Sequence, residues 1–236
     1  MAHGSTHEAS GYPEPLITGL RMDREEFIRR WNALPDLKKA ELIEGTVFVP
    51  SPLGDRHSDF HTLLTFWLRA YANLTPGVKA GNNATYYMLE SSPQPDGFLR
   101  VREEFGGSSR VVKNFLHGAP ELAVEICESS TDYDYGPKLA LYQRAGVQEY
   151  ITLDTFHRWF VWRVLVEGSY RQLEVDEDGT FRSRAFPGLW LSPEHFWADD
   201  GEAMRLLVEQ GVASPEHTAF VASLREKASK DSRENA

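Results

Sequence analysis

The sequence predicts one globular domain of α/β or α+β class with an antiparallel β extension, and three observations carry that reading. Phe60, Leu63, Leu64, Trp67, Leu68, Tyr71 and Leu74 recur at helical spacing and mark one long amphipathic helix. Leu122, Val124 and Ile126 alternate with Ala123, Glu125 and Cys127, which reads as a strand largely apolar on both faces and therefore central. After residue 155, three strand-like runs follow one another with hairpin turns between them.

The elements follow in order. Residues 1–20 carry Gly4, Gly11, Pro13, Pro15 and Gly19 and read as a flexible N-terminal arm. Asp23 and Glu26 resemble a capping box, and Phe27, Ile28, Trp31 and Leu34 then form an apolar helical face that Pro35 stops. Two short strands around Leu42, Ile43, Val47, Phe48 and Val49 turn at Glu44-Gly45. Pro76-Gly77 closes the long helix. Strands are expected over 84–89 and 96–101, with a loop over 103–119. Gly136-Pro137 opens a helix that Ala145-Gly146 ends, and 149–154 is a further strand. The extension comprises strands over 158–166, 170–175 and 180–186. Helices over 193–210 and 215–229 precede a tail, 226–236, too polar to pack. The expected organisation is an arm at 1–20, a domain at 21–198, and C-terminal helices with a polar tail at 199–236.

Composition narrows the function. The chain has 236 residues, and its 41% hydrophobic and 12% aromatic content excludes disorder throughout. A net charge of −10 argues against a protein that coats nucleic acid non-specifically. It leaves room for a nuclease, because a site that binds a divalent cation through carboxylates is itself acidic. The single cysteine, Cys127, excludes an internal disulfide framework and a cysteine zinc cluster, and fits a cytoplasmic location. No apolar run is long enough to span a membrane, and the N-terminus lacks the apolar core of a signal peptide.

Three polar residues stand where polarity is costly. Glu125 sits inside the most apolar strand, where a carboxylate needs a partner, a raised pKa or a metal ion. Asp96 enters its strand from the rigid bend at Pro95. Two carboxylates from adjacent strands can share one hard cation such as Mg²⁺. Lys138 occupies the first turn of a helix, where the macrodipole disfavours a cation. If that helix packs back over the strand, its ammonium group lies near Glu125. Each residue has a plain alternative: a strand-end glutamate facing water or an arginine, a turn aspartate, a solvated lysine.

The ordered set then resembles a known family. Glu41-Leu42-Ile43-Glu44-Gly45, Ser51-Pro52 with His57, Pro95-Asp96, Glu121 to Ile126, Ser130-Thr131, Asp134, Gly136, Lys138, Leu141-Tyr142, Ala145-Gly146-Val147 and Glu149-Tyr150 resemble the Uma-type restriction endonucleases of the PD-(D/E)xK superfamily. The likeness spans roughly residues 25–195. It implies a restriction-endonuclease-like mixed β-sheet flanked by α-helices and Mg²⁺-dependent hydrolysis of phosphodiester bonds, with Mn²⁺ as a substitute. Asp96 and Glu125 match the two metal-binding carboxylates. The superfamily's lysine two places after the glutamate falls on Cys127; in this family it is displaced onto the next helix, where Lys138 matches it. Glu41 and His57 match supporting polar positions. The chain departs from the family at Glu128-Ser129-Ser130-Thr131, where Glu128, with Asp132 and Asp134, can add a ligand or repel DNA.

Two functions are therefore expected to compete. One is a metal-dependent endonuclease acting on DNA. The other is a non-catalytic or regulatory binding module on the same fold. No helix-turn-helix or zinc finger is recognisable in the sequence. The aromatic-rich extension, with Trp159, Phe160 and Trp162, is a pattern more often core than interface, and it is also a candidate surface for pairing two copies into a homodimer.

Overall fold

The computed structural model describes residues 13–51, 54–127 and 136–234. Its first helix, α1 (Arg24–Asn32), is capped by Asp23, whose carboxylate accepts the Glu26 N–H at 2.9 Å. The Glu26 side chain does not complete a capping box; it pairs with Arg29 and Arg30 at 2.7 and 2.6 Å. Strands β1 (Glu41–Ile43) and β2 (Thr46–Phe48) form the expected hairpin, turning through Glu44 and Gly45 at positive φ. Residues 13–20 lie against this hairpin: Gly19 donates to the Val47 carbonyl, and Leu16 is buried.

Helix α2 (Asp55–Leu74) buries Leu63, Leu64, Trp67, Leu68 and Tyr71, as its periodicity demands, and leaves terminal Leu74 exposed. The chain turns at Gly77 into β3 (Val78–Gly81), a strand the sequence does not announce. Only β4 (Tyr86–Tyr87) is extended in the stretch where a longer strand is expected. Next come β5 (Gly97–Val101) and a short 3₁₀ turn. The expected loop over 103–119 contains a hairpin, β6 (Arg110–Val112) and β7 (Phe115–His117), with Lys113 and Asn114 at positive φ in its turn. All six residues of β8 (Leu122–Cys127) are buried. Helix α3 (Pro137–Ala145) starts on Pro137 and ends on left-handed Gly146, as read from the sequence.

Strands β9 (Glu149–Asp154), β10 (Trp159–Val166) and β11 (Ser169–Gln172) follow, then β12 (Phe181–Arg182) and β13 (Trp190–Leu191). Helix α4 (Pro193–Trp197) is separate from α5 (Gly201–Val212), because Asp199 takes positive φ and Asp200 caps the second helix. Helix α6 (Pro215–Glu234) runs on through the stretch read as a tail, where Lys230 and Glu226 pair across one turn.

The main sheet has six strands in the order β11-β10-β9-β8-β5-β3, and only β8 and β9 are parallel. Helix α3 makes the crossover that a parallel pair requires. The architecture is thus a mixed sheet flanked by helices, and the antiparallel extension divides. Its first hairpin, β10–β11, continues the main sheet, while β12 and β13 form a separate pair. Leu122, Val124 and Ile126 of β8 pack into the core that also holds Trp67, Met204, Val208 and Leu224, so α5 and α6 share the core of the sheet. Ala123 faces the other way, toward Leu141 and Tyr142 of α3. Trp67 donates its indole N–H to the Trp190 carbonyl, and the Tyr71 hydroxyl donates to that of Pro187. Among the described residues no helix is long and apolar enough to cross a membrane.

Candidate active site

The register of the sheet builds the site. Gly97 pairs with Val124 across β5 and β8, so the pairing continued by one residue sets Asp96 beside Glu125. Asp96 Oδ2 accepts the Ile126 N–H at 3.0 Å, which locks the two strands together at that point. Gly97 lets α2 approach: a Cβ there would stand 3.0–3.1 Å from Leu68 and Leu64. Helix α2 thereby brings His61 Nε2–H to the Asp96 carbonyl at 2.8 Å and buries His57 on the same side. His61 sits one turn after His57, with ring centroids 5.9 Å apart.

Lys138 joins them from α3. Its ammonium lies 2.9 Å from Glu125 Oε2 and 3.0 Å from Glu41 Oε2. Glu41 is carried by β1, and its other oxygen accepts the Gln94 N–H, just before the Pro95-Asp96 bend. Tyr142, one turn beyond Lys138 on the same face of α3, donates its hydroxyl to Glu125 Oε1 at 2.7 Å. Glu41, Asp96, Glu125 and Lys138 are each at most 6% exposed. Burial of this depth disfavours isolated charges, and the cluster answers by pairing them.

A second lysine completes the pairing. Lys39 Nζ lies 3.0 Å from Asp96 Oδ1 and 2.7 Å from Asn83 Oδ1. Burial pushes the Asp96 carboxyl upward, but Lys39, Lys138, the Ile126 N–H and His57 together outweigh it and hold the group below the ordinary aspartate value. Burial likewise pulls the Lys39 ammonium down, and the carboxylates of Asp96, Glu41 and Glu125 more than reverse it. Among the described residues, three carboxylates thus face two lysines, with His57 beside them.

The structure brings together Asp96, Glu125, Lys138 and Glu41, and it seats His57 beside them. Three site residues escape the sequence reading: Tyr142, Lys39 and His61. Tyr142 had a signal, since a residue four places after Lys138 on a helix shares its face. Ser130 and Thr131, with the acidic residues Glu128, Asp132 and Asp134, lie outside the described residues, as does Pro52. Among the described residues no group of three or more His, Cys, Asp or Glu side chains is arranged to hold a metal ion. The donor set nevertheless suits Mg²⁺, which is held by one or two carboxylates and takes its remaining ligands from water and substrate phosphate. Asp96 and Glu125 supply two hard oxygen donors.

Comparison with known proteins agrees with this architecture. A family model described as Uma2, "Putative restriction endonuclease", matches residues 24–194. Among solved structures, the chain is similar to one described as "a putative nuclease belonging to DUF820 from Anabaena variabilis". The two share 17% identity and a TM-score of 0.58, over 75% of this chain and 98% of that one. No curated protein matches.

Proposed function

The chain belongs to the Uma2 family, described as "Putative restriction endonuclease", and on that premise we propose that it is a Mg²⁺-dependent endonuclease that hydrolyses phosphodiester bonds in DNA. The observation that carries the proposal is the meeting of Asp96, Glu125 and Lys138 from two adjacent strands and the following helix, all buried. Asp96 and Glu125 would hold the cation, which when bound polarises the phosphate and lowers the pKa of water. Lys138 would supply positive charge where negative charge develops on the phosphate. Glu41 holds the far side of that ammonium, and Tyr142 fixes the rotamer of Glu125. Lys39 holds Asp96 ionised at neutral pH, ready to accept a cation.

One observation favours the second reading, a non-catalytic binding module: Lys39 and Lys138 already neutralise most of the site's charge. Incubation with labelled duplex DNA, single-stranded DNA and RNA, each with Mg²⁺ or Mn²⁺ and with EDTA, separates the two. The endonuclease reading expects metal-dependent internal cleavage of DNA. Metal binding with no cleavage of any of the three substrates would replace it with the binding module.

A further inference from the structure

Strands β3 and β5 pair at one edge of the six-stranded sheet, and their register places Lys79 directly opposite Arg100. Directly opposite side chains leave the sheet on the same face, so two cations stand side by side, an arrangement that destabilises a sheet. Neither forms an ion pair among the described residues. Glu121, which the register sets across β5 from Arg100, spends its two oxygens on the N–H groups of Val101 and Ser108 at 2.7 and 2.8 Å.

Beside the two cations opens a cleft of ≈ 450 Å³ between the sheet edge and the β6–β7 hairpin. Thr85, Asn114 and Phe115 line it with Lys79 and Arg100, and among the described residues its lining contains no Asp or Glu. That is informative in a chain with 35 acidic residues. Phe115 is 42% exposed, and its ring is backed by Tyr87 at 5.1 Å. The cleft also shares a face with the candidate active site. Asp96 and Arg100 are four residues apart and point the same way, which puts them about 13 Å apart along an extended chain.

We propose that this cleft is a nucleotide-binding subsite for a single-stranded DNA segment, with a phosphate on Lys79 and Arg100 and a base stacked on Phe115. It rests on the nuclease reading above and adds to it where the strand is gripped. An exposed aromatic beside paired cations is the combination that binds unpaired strands without sequence preference. A sheet edge that tolerates two adjacent like charges has given up some stability for an anion.

The test is fluorescence anisotropy with a labelled single-stranded deoxyoligonucleotide in EDTA, where metal-dependent cleavage is absent, across a salt series. The wild-type chain is expected to bind with a salt slope that falls by about 0.7 for each phosphate no longer neutralised. Lys79→Gln with Arg100→Gln should weaken binding and lower that slope, whereas Arg100→Lys should keep it. Phe115→Ala should weaken binding about tenfold with the slope unchanged. The double variant should melt no lower than wild type, because it relieves a like-charge pair. Wild type that does not bind, a double variant with unchanged affinity and slope, or a double variant that melts markedly lower would each overturn the subsite. Wild type that cleaves DNA while the double variant binds normally would remove the subsite and leave the nuclease reading. Wild type that binds through the cleft but never cleaves would do the reverse.

Discussion

The two ends of the central strands both bury carboxylates, and they satisfy them by different means. Where β8 and β9 begin, Glu121 receives two backbone N–H groups, and Glu149 receives the Ser183 hydroxyl at 2.6 Å and the N–H groups of Arg184 and Ala185 at 2.6 and 3.1 Å. Where β8 ends, Asp96, Glu125 and Glu41 each share an oxygen with a lysine ammonium. Backbone donors are fixed by the fold and cannot leave without breaking it. A lysine ammonium sits on a flexible stem and can yield its place to another cation. The first end is therefore a structural clamp, and the second is built so that its charge can be exchanged. The pKa directions agree: burial drives the Glu149 carboxyl upward past what its donors recover, while nearby cations hold that of Asp96 down.

The comparison breaks first, and by most, at Asp96. Asp96→Ala should abolish divalent-metal affinity and lower the cleavage rate by about a thousandfold or more, since a metal ion contributes several kcal/mol to such a reaction. Paired calorimetry and cleavage kinetics check both losses together. Lys138→Ala comes next. It should lower the rate about a hundredfold, the usual cost of one preorganised charge-stabilising group. Metal affinity should stay the same or rise, because Glu125 and Glu41 lose a competing cation. A lysine variant that cleaves as fast as wild type would make the residue a structural counter-ion.

At the clamp the expected effect is on stability. Glu149→Ala strands a buried hydroxyl and two backbone N–H groups, and should cost about 3 kcal/mol in denaturant unfolding. The activity per folded molecule should not change. Equal losses of stability and specific activity would erase the distinction between the two ends.

The smallest effects are in pH dependence, and they differ in sign. The folded Glu149 carboxyl titrates above its ordinary value, so the native state holds that proton more firmly than the unfolded chain. Its contribution to stability falls as pH rises from about 4.5 through the folded value. The folded Asp96 carboxyl titrates below its ordinary value, so its contribution is present above about pH 4 and is lost as pH falls through the folded value. Urea unfolding between pH 3 and 7 of wild type, Glu149→Gln and Asp96→Asn should show these opposite slopes as differences from wild type.

Much of the site was legible because each residue broke a local rule. A proline bend leads into Asp96, Glu125 interrupts an apolar strand, and Lys138 stands at the wrong end of a helix dipole. Long or strongly periodic elements were legible for the same kind of reason, since α2, β8 and α3 declare their period and their caps. What escaped was set by tertiary pairing. Val78–Gly81 is too short to show a period and becomes a strand only by lying against β5. The β6–β7 hairpin is short and fully exposed on β6, and its Lys113-Asn114 turn uses residues less emphatic than glycine. Lys39 precedes a strand in a run of ordinary charged residues, and only the folded chain carries it to Asp96. The break between α4 and α5 had its signal in Asp199-Asp200-Gly201, a cap placed inside an otherwise apolar helical run.

The central claim is that the carboxylates at the lysine-paired end hold a divalent cation. Its most direct measurement is a calorimetric titration of the purified chain with Mn²⁺, repeated on Asp96→Ala and on Glu149→Gln. The account predicts one site in wild type, no site in Asp96→Ala, and unchanged binding in Glu149→Gln. Undiminished Mn²⁺ binding by Asp96→Ala would contradict it.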